Sequence, residues 1–167
     1  MKKAFIQIIL VFSAVYVNAQ QAITNSGNLQ IHTGASVSSF GNFTNISTGA
    51  LVNNGNLYIK GNTTNDESSM TIGTGTLYLN GSSAQTVNGS QSFKTWHLNT
   101  NNSSGITLNN NLSVSGTHTF ASGVITTSAT PNYLIYEAGS SYSGDGDSRH
   151  VNGWVKKSGT TNFVFPV

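Results

Sequence analysis

Acid–base, metal and nucleophilic chemistry each need particular side chains brought together, and this chain carries few of them. Its 167 residues include five carboxylates: Asp66, Glu67, Glu137, Asp145 and Asp147. Glycoside hydrolysis needs two carboxyl groups facing one another across a cleft at a set separation. Asp66 and Glu67 are adjacent, so on a strand they point to opposite faces. β-Helical lyases and hydrolases gather acids on neighbouring coils, and these five residues show no such gathering. Asp145-Gly146-Asp147 lies near Glu137 and is flanked by Ser143 and Ser148. These groups supply half of a calcium site, which takes about six to eight oxygen ligands, but the full calcium-loop spacing with a closing bidentate acid is absent. The solvated turn is the simpler reading of Asp145 and Asp147. His32, His97, His118 and His150 are scattered with no pair at metal-ligand spacing, and they read as surface and turn residues. No Gly-X-Ser-X-Gly elbow occurs. Neither catalysis nor a cofactor is expected.

Two further patterns concern binding. Tyr58 and Tyr78 each sit between inward residues of a short strand, Leu57 with Ile59 and Leu77 with Leu79. Both therefore point outward, as neighbours on one face, where exposed aromatics stack on sugars or grip a partner. Flat threonine arrays on a solenoid bind ice when Thr-X-Thr recurs in successive coils. Thr74-Gly75-Thr76 and Thr117-His118-Thr119 do not fall at the coil period, so ice binding is not expected.

The elements that position these residues are short strands. No segment after the N-terminal stretch shows apolar residues at helical intervals. Apolar-X-apolar units recur instead: Leu29/Ile31, Leu57/Ile59, Met70/Ile72, Leu77/Leu79, Ile106/Leu108 and Leu112/Val114. Asn-Gly and Asn-Asn clusters separate them and favour turns. Gly27-Asn28-Leu29, Gly41-Asn42-Phe43 and Gly55-Asn56-Leu57 echo one another every fourteen residues. A longer stride runs further. Leu29 to Leu51, Val37 to Ile59, Leu57 to Leu79, Leu98 to Phe120 and Leu112 to Leu134 are each twenty-two residues. Leu51 to Ile72, Leu77 to Leu98 and Val87 to Leu108 are twenty-one.

A fixed internal period signals a stacked architecture. The expected fold is all-β, a right-handed parallel β-helix (β-solenoid) with three short strands per coil of about 21–22 residues. About seven coils at ~4.8 Å per step make a rod on the order of 35 Å long. Asn at repeated turn positions is expected to stack into a hydrogen-bonded ladder. The alternative fold is a β-sandwich.

Residues 1–19 read as a secretory signal peptide. Lys2 and Lys3 precede an apolar stretch from Ala4 to Val17, and Val17-Asn18-Ala19 offers the cleavage site. The remainder divides into β-helix repeats over 20–130 and a terminal β segment over 131–167. Charged residues are only 7 % of the chain and there is no basic stripe with interleaved aromatics, so nucleic acid is not an expected partner. No mature segment is apolar enough to span a membrane as a helix. Cysteine is absent, so the fold must hold by its core and its backbone ladders.

Gly75-Thr76-Leu77-Tyr78-Leu79-Asn80-Gly81, Ala84-Gln85-Thr86-Val87, Gly105-Ile106-Thr107-Leu108 and Leu112-Ser113-Val114-Ser115-Gly116 resemble large surface proteins exported by the type IX secretion route. So do His150-Val151-Asn152-Gly153-Trp154-Val155-Lys156-Lys157 and Phe163-Val164-Phe165-Pro166-Val167. The resemblance implies a β-helical stalk or passenger that leads into further β-domains and a sorting domain. It implies no catalytic residues. The expected function is that of a non-catalytic, exported structural or adhesive module at the cell surface or outside it, with glycans or other surface proteins as partners. The alternative is the front part of a carbohydrate-active β-helix enzyme whose catalytic residues lie beyond this chain.

Overall fold

The computed structural model describes residues 21–128 and 130–167. The proposed signal peptide lies outside the described residues. The chain winds as a three-sided β-solenoid in which every strand ladder is parallel. Its first coil is β1 (Ile23–Asn25), β2 (Asn28–Ile31) and β3 (Ser36–Ser39). The second is β4 (Phe43–Asn45), β5 (Ala50–Asn53) and β6 (Asn56–Ile59). The third holds only β7 (Thr63–Asn65) and β8 (Thr76–Leu79). The fourth is β9 (Gln85–Asn88), β10 (Phe93–Thr95) and β11 (His97–Asn101), and the fifth β12 (Ile106–Leu108), β13 (Leu112–Val114) and β14 (Thr117–Ser122). The sixth is β15 (Ile125–Thr127), β16 (Leu134–Tyr136) and β17 (Ser141–Ser143). β18 (Val151–Asn152) and β19 (Val155–Lys157) open another coil. The winding makes about six turns, one fewer than the repeat suggested.

The first face is a seven-stranded sheet, β1-β4-β7-β9-β12-β15-β18, and the third a six-stranded sheet, β3-β6-β8-β11-β14-β17. The second face is split into β2-β5 and β10-β13-β16-β19. The same sheets take up strands on both sides of Pro131. Leu51, Leu57, Ile59, Leu77, Leu79, Leu98, Leu108 and Leu112 fill the interior, each at most 1 % exposed.

Register corrects the uniform stride. Leu29 pairs with Leu51, Leu77 with Leu98, Val87 with Leu108 and Leu112 with Leu134, as the apolar spacing implied. Val37, however, pairs with Leu57 rather than Ile59, Leu57 with Leu77 rather than Leu79, and Leu98 with His118 rather than Phe120. Each error is two residues, and a two-residue slip keeps a side chain on the same face of its strand. Hydrophobicity alone therefore does not distinguish the two registers. Steps run from 19 residues (Phe93 to Leu112) to 26 (Ile125 to Val151), with the difference taken up in the turns.

The split in the second face lies in the third coil, where no strand occupies residues 66–75. Met70 is buried there, but Ile72 is 36 % exposed, so the expected Met70/Ile72 strand and the Leu51–Ile72 column do not form. Two side chains replace the missing ladder. The Leu51 N–H at the edge of β5 donates to Glu67 Oε2 at 3.1 Å, and the Lys94 N–H of β10 donates to Met70 Sδ at 3.3 Å. An unpaired buried N–H is costly, so these substitutes keep the interrupted face closed.

Asparagine does stack into a ladder, at positions other than the Gly-Asn-Leu repeat. Asn25 Nδ2 donates to Asn45 Oδ1 at 2.8 Å, and Asn45 Nδ2 to Asn65 Oδ1 at 2.9 Å. All three amides are buried at the end of a first-face strand. Asn45 Nδ2 also donates to Glu67 Oε2 at 2.7 Å, which ties the ladder to the carboxylate that closes the second face.

Candidate functional site

The side chains that could do chemistry are distributed through this scaffold, and several are used to build it. Asp66 and Glu67 do face opposite ways. Glu67 is buried in the Asn ladder, whereas Asp66 Oδ1 accepts the Ser90 N–H at 2.8 Å and the Ser90 hydroxyl at 2.9 Å. Those two donors, the N–H first, hold the Asp66 carboxyl below its usual range. Glu137 accepts a hydrogen bond from Ser113 Oγ at 2.7 Å. The Lys157 ammonium donates to the carbonyls of Glu137 and Ser140 at 2.6 and 3.1 Å, fastening one coil to the next.

His118 overturns its reading as a surface or turn residue. It is fully buried on β14 with its ring between Thr100 Oγ1, 3.0 Å from Nε2, and Tyr136 Oη, 2.7 Å from Nδ1. Burial lowers its pKa from 6.5 to about 3. The hydrogen-bond inventory agrees: a neutral ring offers one donor and one acceptor to the two hydroxyls, whereas an imidazolium would leave both hydroxyl hydrogens without an acceptor. Burial first, then the neighbouring Tyr142 and Asp145, pushes the Tyr136 phenol up. His118 is a core residue. His32 is exposed, and His97 and His150 are half-buried. His97 Nδ1 accepts the Thr117 N–H at 3.0 Å.

Asp145 and Asp147 lie on an exposed loop closed by reciprocal backbone bonds between Gly146 and Arg149. With His150, Pro166 and Val167 they line an open cleft of about 450 Å³. Among the described residues, no group of three or more His, Cys, Asp or Glu side chains is placed to hold a metal ion. Ser143 is the outward partner of Thr119 on the third face.

Tyr58 and Tyr78 are register partners on β6 and β8. Their rings stack with centroids 4.3 Å apart and planes at 16°. Each ring thus covers one face of the other, and both are half-buried within the outward column. Burial, followed by the Tyr78 hydroxyl beside it, raises the Tyr58 pKa. The outward column continues with Ser38 below the pair and Asn99 and Thr119 above it, all uncharged.

The sequence reading missed the outward side of the first face. Thr24, Thr44 and Thr64 are register partners there, as are Thr86, Thr107 and Thr126. Threonine therefore does recur in successive coils, although Thr74 lies outside the strands and bonds to Asn54. The available signal was the dipeptide Thr-Asn at 24, 44 and 64, an interval of twenty residues that places Thr outside and Asn inside.

Comparison with protein-family models, curated proteins and solved structures gives no match. Among the described residues, no helix is long and apolar enough to cross a membrane.

Proposed function

We propose that this chain is a non-catalytic, exported structural or adhesive module whose outer faces meet glycans or other surface proteins. One observation carries the reading. The acids and the histidine best placed to do chemistry are tied into bonds that hold coils together, while the outward columns of both long sheets carry hydroxyl, amide and phenol groups, with the His97 imidazole among them. Such faces suit broad contact through many shared hydrogen bonds rather than turnover at a point.

The signal-peptide pattern of Met1 to Ala19 supports export, and the quoted motifs support a route of the type IX kind. Tyr58 and Tyr78 are the contact residues on the third face. Binding of the full chain to a glycan array and to whole cells tests this, with a Tyr58→Ala/Tyr78→Ala double variant beside it. Retention by the native chain, and its loss in the folded double variant, is expected. Equal binding by both removes the Tyr pair from the reading, and polysaccharide cleavage by the purified chain refutes the non-catalytic assignment.

A further inference from the structure

The first face repeats a single chemistry. Every strand on it from β1 to β15 turns a threonine outward: Thr24, Thr44, Thr64, Thr86, Thr107 and Thr126. The first three form one column and the last three another. Thr64 pairs with Asn88, so the second run starts one two-residue step along the strand. Asparagine completes the pattern. Asn62 stands below Thr86, whose N–H donates to Asn62 Oδ1 at 2.9 Å. Asn109 Nδ2 donates to Asn88 Oδ1 at 2.9 Å in the column above Thr64. With Asn42, whose Oδ1 accepts the Asn62 N–H at 2.9 Å, coils two to five each present one Thr and one Asn. The rows are ~4.8 Å apart across strands, and the positions are about 6.6 Å apart along them.

The Asn side chains are held in place by these cross-coil bonds, and Thr86 Oγ1 accepts from Asn88 Nδ2 at 2.7 Å. Thr24 and Thr126 are exposed and Thr44, Thr64 and Thr107 half-buried, and none of these five hydroxyls makes a hydrogen bond to another described residue. Their spacing is fixed by the backbone ladder beneath them. No charged or aromatic side chain occupies an outward position of these strands. At the rim, Asp66 has its carboxylate bound to Ser90, Phe40 lies beside Asn42 and Asn62 with the Lys60 ammonium over its ring, and Trp154, 51 % exposed, comes beyond Asn152 at the far end.

Those features select the ligand. A sugar surface calls for exposed rings to stack on, which this array lacks. A charged partner calls for countercharge, which it also lacks. What remains is a rigid, regular field of hydroxyl and methyl groups whose hydrogen-bonding partners must be water. Water fixed at repeated positions costs little further ordering when it joins an existing lattice, and many small contacts add along a rigid face. We propose that the Thr/Asn array of the first face binds the surface of ice. This surface is separate from the Tyr58–Tyr78 contact on the third face and stands or falls independently of it.

The test is slow growth of polycrystalline ice from a solution of the full chain, with the protein measured in the ice and in the remaining liquid. Thr44→Lys and Thr107→Lys interrupt the two Thr columns in different coils. Thr119→Lys makes the same change on the third face. Enrichment of the native chain in ice is expected, with a fall of about tenfold or more for either array variant. The Thr119→Lys variant should match the native chain, each protein being checked for its β-sheet circular dichroism. Exclusion of the native chain from ice overturns the proposal by itself, so variant folding does not limit the test. Array variants that enter ice as well as the native chain also overturn it. So does retention of the native chain on crystalline cellulose or chitin, without uptake into ice, that the Thr44→Lys and Thr107→Lys variants lose and Tyr58→Ala/Tyr78→Ala keeps, which assigns the face to a polysaccharide.

Discussion

His118 shows how a residue type with functional promise becomes a structural one. Its ring is sealed from water between Thr100 and Tyr136, and Phe120 packs against it with centroids 3.9 Å apart. The consequence is a pH dependence of stability. The folded pKa of about 3 lies below the ordinary value of 6.5, so below pH 6.5 the unfolded chain takes up a proton that the folded chain refuses. The contribution is complete above pH 6.5 and is lost as the pH falls towards 3, at no more than about 1.4 kcal/mol per pH unit. Denaturant midpoints at pH 7, 5 and 4 should fall for the native chain and fall less for His118→Gln. Parallel pH profiles would remove His118 as the cause.

At the scale of elements, the first three coils are joined by the Asn25–Asn45–Asn65 ladder and by Glu67. Asn45 is the central member, donating to both Asn65 and Glu67 while accepting from Asn25. Asn45→Ala would strip a donor from a buried carboxylate and break both steps of the ladder, costing about 2–4 kcal/mol. Asn25→Ala removes only the terminal amide and should cost about 1 kcal/mol. Denaturant unfolding checks the order, and equal losses would contradict the ladder account. Much of this scale was legible in the sequence. Apolar-X-apolar units marked β2, β6, β8, β12 and β13, and Asn-rich turns marked their ends. Register was less legible, because a slip of two residues preserves the inward face. The buried polar positions were hidden for another reason: Asn45, Glu67 and His118 look like surface residues until the next coil supplies their partners. Met70 likewise offered no sign that its sulfur stands in for a missing strand.

The whole molecule is a rod whose interior takes up Glu67 and His118, whose loops carry Asp145 and Asp147, and whose long sheets present repeated hydroxyl and amide groups outward. Successive residues on one column come from sequence positions nineteen or more apart, so its surface lattice depends on the winding. That is why the outward Tyr58 and Tyr78 were foreseen from their strands, whereas the Thr24–Thr44–Thr64 column was hidden by an assumed coil of 21–22 residues. Both proposed contact surfaces rest on the observed register, and cysteine cross-linking reads that register directly because the chain has no cysteine of its own. A Thr44→Cys/Thr64→Cys pair joins register partners, whereas Thr44→Cys/Asp66→Cys joins the positions that a 22-residue coil would bring together. Disulfide formation needs Cα atoms within about 7 Å. Under mild oxidation the first pair should close within the folded monomer and the second should stay reduced. Closure of the second pair without the first would contradict the twenty-residue winding and, with it, the placement of both faces.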